Sequence, residues 1–256
     1  MILKGILLLL LSLYLLILGY MYLAQRSFIY FPEFTQPVTV PHNFELQNEV
    51  LTLRGWVLNQ DVSEALLYFG GNGEGVEHNL PLFQRTFPEH AVYLLSYRGY
   101  GGSEGEPEER GIYSDAMALY AWVSTRHSRV SVMGRSLGSG VATYVAARSP
   151  VHRLALVTPF DSMESLASRH YPIFPVRLLL QERYRSAQRA ANISARTLVL
   201  YAENDRIVPE SNTFALISAF APGQVSVARI AGAGHNTISG YGEYQVKLKE
   251  FFGKNN

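Results

Sequence analysis

One segment constrains this chain more than any other: an apolar strand pattern runs into Gly-Arg-Ser-Leu-Gly and then into a helix of small residues. The segment is residues 130–147, VSVMGRSLGSGVATYVAA. A serine on so sharp a turn adopts a strained backbone conformation that only small neighbours tolerate, and Gly134 and Gly138 supply them. The turn projects the Ser136 hydroxyl and leaves the Leu137 amide unpaired at a helix N-terminus. This pattern predicts a nucleophilic serine with an anion-binding amide beside it.

A second Gly-x-Ser-x-Gly sequence occurs at residues 101–105. It is followed by Glu-Pro-Glu-Glu, which does not open a packed helix with a free amide. The nucleophile motif requires both a preceding strand and a following helix. We therefore favour Ser136 as the nucleophile and expect Ser103 to lie in a surface turn.

The rest of the chain alternates between strand and helix patterns. Strand patterns occupy residues 51–58, 65–69, 91–97, 153–157, 197–201 and 224–230, and helical patterns occupy 77–86, 112–125, 210–220 and 241–252. This alternation predicts one α/β domain with a mostly parallel central sheet and helices on both faces. Motifs that directly follow the strands should therefore converge at one edge of the sheet.

Composition narrows the partners that we expect. The net charge of +1 gives no electrostatic reason to expect nucleic acid. The absence of cysteine excludes a disulfide framework and a thiol nucleophile. Because no His/Asp/Glu cluster has metal-ligand spacing, we expect no metal and no cofactor. A small molecule or a lipid is the expected substrate.

Residues 1–26 differ in character from the rest of the chain. The stretch 5–24 carries no charge and is long enough to cross a hydrocarbon core of about 30 Å as a helix. A cleaved signal peptide is the alternative, but the apolar run is too long and bulky Tyr22 stands where cleavage needs a small residue. We predict a single-pass membrane anchor. Lys4 and Arg26 nearly balance the flanking charge, and we expect the folded domain outside the cytoplasm.

Three further segments complete the predicted organisation. Residues 27–44 are rich in aromatic rings and proline, which favours an extended juxtamembrane linker with rings at the membrane interface. The folded domain is expected at 45–256. Within it, residues 161–191 are too long for a simple connection and too apolar for a free loop, which indicates a cap over the site. Its arginines either attract anionic groups or form a solvated helix face: Arg177, Arg183, Arg185 and Arg189.

A serine nucleophile requires a base and an orienting acid, in the chain order Ser, Asp, His. His235 follows the 224–230 strand in the small-residue loop AGAGHN, which lets an imidazole reach over the sheet edge. His152 and His170 lie beside arginines and away from strand ends, where solvated side chains are expected. We therefore predict that His235 is the base.

The acid should follow the preceding strand. Asp205 lies just after the 197–201 strand, and its role would be to hold the imidazole tautomer and stabilise the imidazolium. Asp161 and Glu203 are the alternatives, and each of the three carboxylates could instead cap a helix or close a turn. Strand-end position and chain order favour Asp205.

The second oxyanion donor is expected in the loop after the 65–69 strand, which reads FGGNGE. Its glycines let the backbone approach a substrate closely. We predict that the amide of Asn72 acts together with that of Leu137. An ordinary flexible turn is the alternative.

Together these motifs resemble the α/β-hydrolase superfamily, and within it the membrane-anchored abhydrolase-domain proteins with a serine-aminopeptidase-like core. The resemblance runs from about residue 28 to 252 and includes segments 96–105, 134–138, 204–209 and 234–235. It implies the α/β-hydrolase fold with a short cap, preceded by an N-terminal transmembrane helix. One difference concerns the oxyanion loop, where the family usually has His-Gly-Asn and this chain has Gly70-Gly71-Asn72. The missing imidazole removes a local hydrogen bond but leaves the backbone donor.

These features lead us to expect a serine hydrolase that cleaves an ester or thioester of a lipid-like or apolar acyl group through an acyl-Ser136 intermediate. The anchor is the reason for expecting a lipid-like substrate. A serine peptidase with the same machinery is one alternative, and a non-catalytic, membrane-tethered binding protein is another. The intact Ser, Asp and His set argues against the latter, because binding alone does not require all three roles.

Overall fold

The computed structural model describes residues 2–253 of the chain. Within them, one sheet has the strand order β1-β2-β4-β3-β5-β6-β7-β8. The strands are β1 Phe44–Asn48, β2 Leu51–Leu58, β3 Glu64–Phe69, β4 Ala91–Leu95, β5 Arg129–Arg135, β6 Arg153–Val157, β7 Arg196–Ala202 and β8 Val225–Ile230. The helices are α1 Ile2–Ala24, α2 Leu80–Thr86, α3 Glu109–Ser124, α4 Leu137–Ala146, α5 Met163–His170, α6 Val176–Leu179, α7 Ser186–Ala190, α8 Glu210–Ile217 and α9 Gly242–Phe252.

The sheet is mostly parallel and is covered on both faces. β2 pairs antiparallel with β1 and β4, whereas the remaining neighbours pair parallel. Side chains of α3 and α4 belong to one buried cluster, and those of α2 and α9 belong to another. Every residue of β4 and β6 is buried because helices exclude water from both sides. The predicted fold class is therefore confirmed.

Helix α1 lies outside the two buried clusters. None of its residues is buried, although almost all are apolar. Among the helices of residues 2–253, α1 is the one that is long and apolar enough to cross a membrane. It is therefore a candidate membrane anchor.

The aromatic segment after α1 differs from its prediction. A 3₁₀ helix at Gln25–Phe28 is followed by Ile29 and Tyr30, which are only 8% and 3% exposed. The Tyr30 hydroxyl donates to Glu182 at 2.5 Å and lies 2.7 Å from the Tyr184 hydroxyl. The expected placement at a membrane interface is therefore wrong for Tyr30, because its ring is buried inside the protein. The sequence does not indicate this contact, because both polar partners lie far away along the chain.

Strand β1 was not predicted. It pairs with β2 through a tight turn, with Phe44 and Leu46 buried and the residues between and after them more exposed. Five residues carry too little alternation to be distinguished from the linker before them. The segment 161–191, which has no regular pattern in the sequence, contains α5, α6 and α7.

Candidate active site

The turn between β5 and α4 holds Ser136 in a rare conformation. Its φ is 50° and its ψ is −117°, values that store backbone strain in a residue with a side chain. A Cβ on Gly134 would lie 2.2 Å from the Gly138 carbonyl oxygen, and one on Gly138 would lie 2.0 Å from that of Phe69. The close approach of three backbones therefore requires both glycines. Leu137 begins α4, so its amide has no acceptor within the helix.

Three side chains from different loops meet at the carboxyl edge of the sheet. The Ser136 Oγ and His235 Nε2 are 2.9 Å apart, and His235 Nδ1 donates to Asp205 Oδ2 at 2.7 Å. The other Asp205 oxygen accepts from the amides of Ile207 and Val208 at 2.9 and 2.8 Å. These bonds fix the carboxylate and hence the imidazole plane. The His235 and Asp205 side chains are each 6% exposed, so little water competes for the bonds.

The two alternative acids are engaged elsewhere. Asp161 accepts from the Asn212 side-chain amide at 2.7 Å. Glu203 accepts from the Gly232 amide at 2.7 Å and pairs with Arg229. Among the three carboxylates that the sequence offered, Asp205 is the one that contacts His235.

The second Gly-x-Ser-x-Gly sequence has a structural role. Ser103 is 8% exposed, so the prediction of a surface location is wrong. Its hydroxyl donates to the Ser96 carbonyl at 3.0 Å and accepts from the Arg54 amide at 2.8 Å. These bonds join the turn to neighbouring backbone and explain its burial.

The loop after β3 lies beside Ser136. A Cβ on Gly71 would be 3.6 Å from the Ser136 Cβ, which places this backbone next to Ser136. The Asn72 side chain donates to the Ile29 carbonyl at 3.2 Å. At Gly70 a Cβ would lie 2.7 Å from a methyl group of Val76, so any larger residue there would require Val76 to move.

A buried carboxylate secures this loop instead. Glu74 accepts from the Gly71 amide at 2.6 Å, from the Tyr68 hydroxyl at 2.6 Å and from Asn79 at 2.7 Å. It also pairs with Arg135 at 2.8 Å. Burial alone would raise the pKa of Glu74, but the Arg135 charge and these hydrogen bonds lower it overall. The oxyanion loop is thereby tied to the residue that precedes Ser136.

Arg135 extends the same network to the histidine loop. Its Nη2 donates to the His235 carbonyl at 3.3 Å and to the Asn236 side chain at 3.2 Å. No sequence motif predicts a role for Arg135 or Glu74. Two signals in the sequence could have found them: Arg135 is a charged residue inside the Gly-Arg-Ser-Leu-Gly turn, and Glu74 is an acid at the end of the FGGNGE loop.

The arrangement suits proton transfer from a hydroxyl. A serine, an imidazole and a buried carboxylate are joined in one line of hydrogen bonds, and the Gly71 backbone lies close to Ser136. Among residues 2–253, no group of three or more His, Asp or Glu side chains is placed to hold a metal ion.

Comparison with known proteins adds family evidence. A family model for the alpha/beta hydrolase fold matches residues 66–192. An uncharacterized protein of Mycobacterium tuberculosis is 38% identical over 150 residues, which are 57% of this chain and 53% of that protein. The lysophosphatidylserine lipase ABHD12 of Danio rerio is 33% identical over 174 residues, which are 59% of this chain and 45% of that protein. The match thus spans about half the length of these relatives.

Solved structures show the same fold. The Pyrococcus furiosus esterase Pf2001 matches with a TM-score of 0.66 and 17% sequence identity, over 81% of this chain and 87% of that chain. At this level of identity the likeness concerns the arrangement of strands and helices.

Proposed function

Because the chain belongs to the α/β-hydrolase superfamily, we propose that it is a serine hydrolase in which Ser136 is the nucleophile, His235 the general acid and base, and Asp205 the orienting acid. The single observation that carries the proposal is the unbroken hydrogen-bonded line from Asp205 through His235 to Ser136. A binding protein would have no need for all three roles.

In the acylation step, Ser136 Oγ attacks the carbonyl carbon of the substrate while His235 Nε2 takes the hydroxyl proton. The oxyanion that forms accepts hydrogen bonds from the amides of Leu137 and Asn72. When the tetrahedral intermediate collapses, the leaving alcohol or thiol takes the proton from His235. A water molecule then attacks the acyl-serine by the same route, which releases a carboxylic acid and restores Ser136.

We propose an ester or thioester with an apolar acyl group as substrate. Two observations support a lipid-like molecule: the apolar helix α1 and the similarity to a lysophosphatidylserine lipase. In this proposal α1 anchors the chain in a membrane, the segment 161–191 caps the site, and the domain lies outside the cytoplasm. Protease digestion of intact spheroplasts or cells, compared with permeabilised ones, tests that side of the membrane.

Labelling with a fluorophosphonate, which reacts with activated serines, tests the chemistry. Ser136→Ala should abolish labelling and lower ester turnover by a factor of about 10⁴–10⁶. Ser103→Ala is the matched control, because it removes the serine of the other Gly-x-Ser-x-Gly sequence, and it should still be labelled. An unlabelled parent chain would contradict the proposal and favour a binding protein, and a preference for amide over ester substrates would favour a peptidase.

A further inference from the structure

An apolar groove of about 440 Å³ lies between α1 and the cap segment 161–191. Leu18 and Met21 of α1 form one wall, and Leu166 and Ala167 of α5 belong to the other. Its volume falls within the range of small-molecule sites, roughly 300–1,000 Å³. The catalytic residues proposed above do not line it.

Specific contacts hold the two walls together. At one end the Tyr14 hydroxyl donates to the Ile173 carbonyl at 2.8 Å, and the Tyr14 ring stacks on Phe174 with centroids 6.1 Å apart. At the other end the Gln25 side chain accepts from the Gln181 amide at 2.7 Å. The groove is therefore built into the way the anchor helix packs on the cap.

If α1 spans a membrane as proposed above, these contacts also set the depth of the 161–191 segment in it. Tyr14 precedes Ala24 by ten residues, which is about 15 Å along a helix. A spanning helix needs about 20 residues, so a bilayer that surrounds α1 also surrounds the cap near Ile173. Ile173 and Leu178 fit this environment, because they are apolar and 73% and 81% exposed. Arg177, which lies between them and is also exposed, has to extend its guanidinium to the membrane interface. The Ile173 carbonyl, which lipid cannot satisfy, has its partner in Tyr14.

Two residues that line the groove are hydrogen-bonded to residues of the proposed site. Ile29 and Ile207 both line the groove. The Ile29 carbonyl accepts from the side chain of Asn72, and the Ile207 amide donates to Asp205. The groove thus extends from the part of α1 that faces lipid to residues bonded directly to the oxyanion loop and the acid.

From this geometry we infer that the groove binds the acyl chain of the substrate, and that the chain enters sideways from the bilayer, between α1 and the cap. The inference rests on the proposed function. One groove holds one chain, so the substrate class is a membrane-resident ester with a single long acyl chain in this site. The anchor helix is then part of the substrate site as well as an attachment.

A pair of substitutions on one helix tests the inference. Leu18→Trp fills the groove from the α1 side, whereas Leu16→Trp places the same ring on the outward side of α1, where Leu16 is 71% exposed. The full chain is reconstituted in phosphatidylcholine vesicles with p-nitrophenyl palmitate and p-nitrophenyl acetate. Leu18→Trp should lower the palmitate-to-acetate turnover ratio by at least about tenfold. The reason is that only the long acyl chain contacts the groove, so only palmitate loses apolar contacts when the groove is filled. Leu16→Trp should leave the ratio unchanged.

A binding measurement separates this inference from the catalytic proposal. A palmitate that carries a photoreactive diazirine is irradiated in the same vesicles, and the crosslinks are mapped. The parent and Leu16→Trp should crosslink at α1 and α5, and Leu18→Trp should not. An unchanged turnover ratio in an active Leu18→Trp variant, or crosslinks that avoid both helices, would overturn the groove assignment without affecting the proposed serine chemistry.

A parent chain that hydrolyses neither ester would instead refute the proposed function, and the crosslinks would still show whether palmitate binds in the groove. Ala167→Trp repeats the test from the opposite wall.

Discussion

Replacing Glu74 with Gln tests whether one largely buried carboxylate holds the 70–74 loop against the turn at Ser136. One carboxylate oxygen accepts from Tyr68 and Asn79, and the other accepts from Gly71 and Arg135, all at 2.6–2.8 Å. Glutamine keeps most of these bonds if its carbonyl faces Gly71 and Arg135, because the Tyr68 hydroxyl and the Asn79 amide can reorient to accept from its NH₂. What the substitution removes is the negative charge opposite Arg135.

The magnitude follows from burial. The side chains of Arg135 and Glu74 are 15% and 11% exposed, so water replaces little of the lost charge. Removing one partner of a buried pair costs about 3–5 kcal/mol. Since glutamine retains hydrogen bonds and Arg135 also donates to the His235 carbonyl, we expect the lower end, about 3 kcal/mol of unfolding free energy at pH 7. The control Glu45→Gln breaks the exposed pair with Arg54 and should cost less than about 1 kcal/mol.

The pH dependence of this cost has a definite sign. Because the pKa of Glu74 is lowered in the folded chain, its stabilising contribution is complete above the ordinary value of 4.5 and is lost as the pH falls through the lower folded pKa. The difference between parent and variant should therefore be largest near neutral pH and shrink in acid. Urea unfolding of the full chain in detergent, followed by tryptophan fluorescence from pH 3 to 7, measures it. A difference at pH 7 no larger than that of Glu45→Gln, or one independent of pH, would refute the reasoning.

Two further substitutions probe the turn and the acid. Gly138→Ala drives a methyl group into the Phe69 carbonyl, so it should cost at least about 1–3 kcal/mol of stability in thermal unfolding and reduce ester turnover. Gly242→Ala, which meets nothing within 4 Å, should change neither, and equal effects would contradict the steric argument. Asp205→Asn should lower kcat by about 10³–10⁴ through loss of the imidazole orientation, measured with a soluble ester. Asp161→Asn should lower it less than about threefold, and a larger effect there than at Asp205 would exchange their roles.

Much of the fold could be predicted because its signals are local. The close approach of Gly134 to the Gly138 carbonyl follows from sterics within a few residues, whereas the approach of Gly138 to the Phe69 carbonyl arises only in the folded sheet. The alternation of strand and helix patterns likewise predicted a mostly parallel sheet, because each pattern reports which faces of its own element are buried. Strand β1, with five residues, was too short to carry such a pattern.

The site was predictable in outline for the same reason. Loops after parallel strands meet at one edge, so Ser136, Asp205 and His235 were expected together, and their side chains do lie in hydrogen-bond contact. Their catalytic roles remain predictions, which labelling and kinetics test. Sequence patterns alone left Asp161 and Glu203 as alternatives, because nothing local records which carboxylate a distant imidazole meets.

The sequence by itself determined the strained serine turn, the apolar first helix and the layered α/β architecture, since each depends on residues near one another in the chain. Tertiary structure alone decided that Tyr30 is buried, that Glu74 pairs with Arg135, and that α1 and the 161–191 segment enclose a groove. The physical reason is distance along the chain. Tyr30 and Glu182 are 152 residues apart, and Arg135 and Glu74 are 61 apart, so their contacts exist only after the sheet has brought separate elements together.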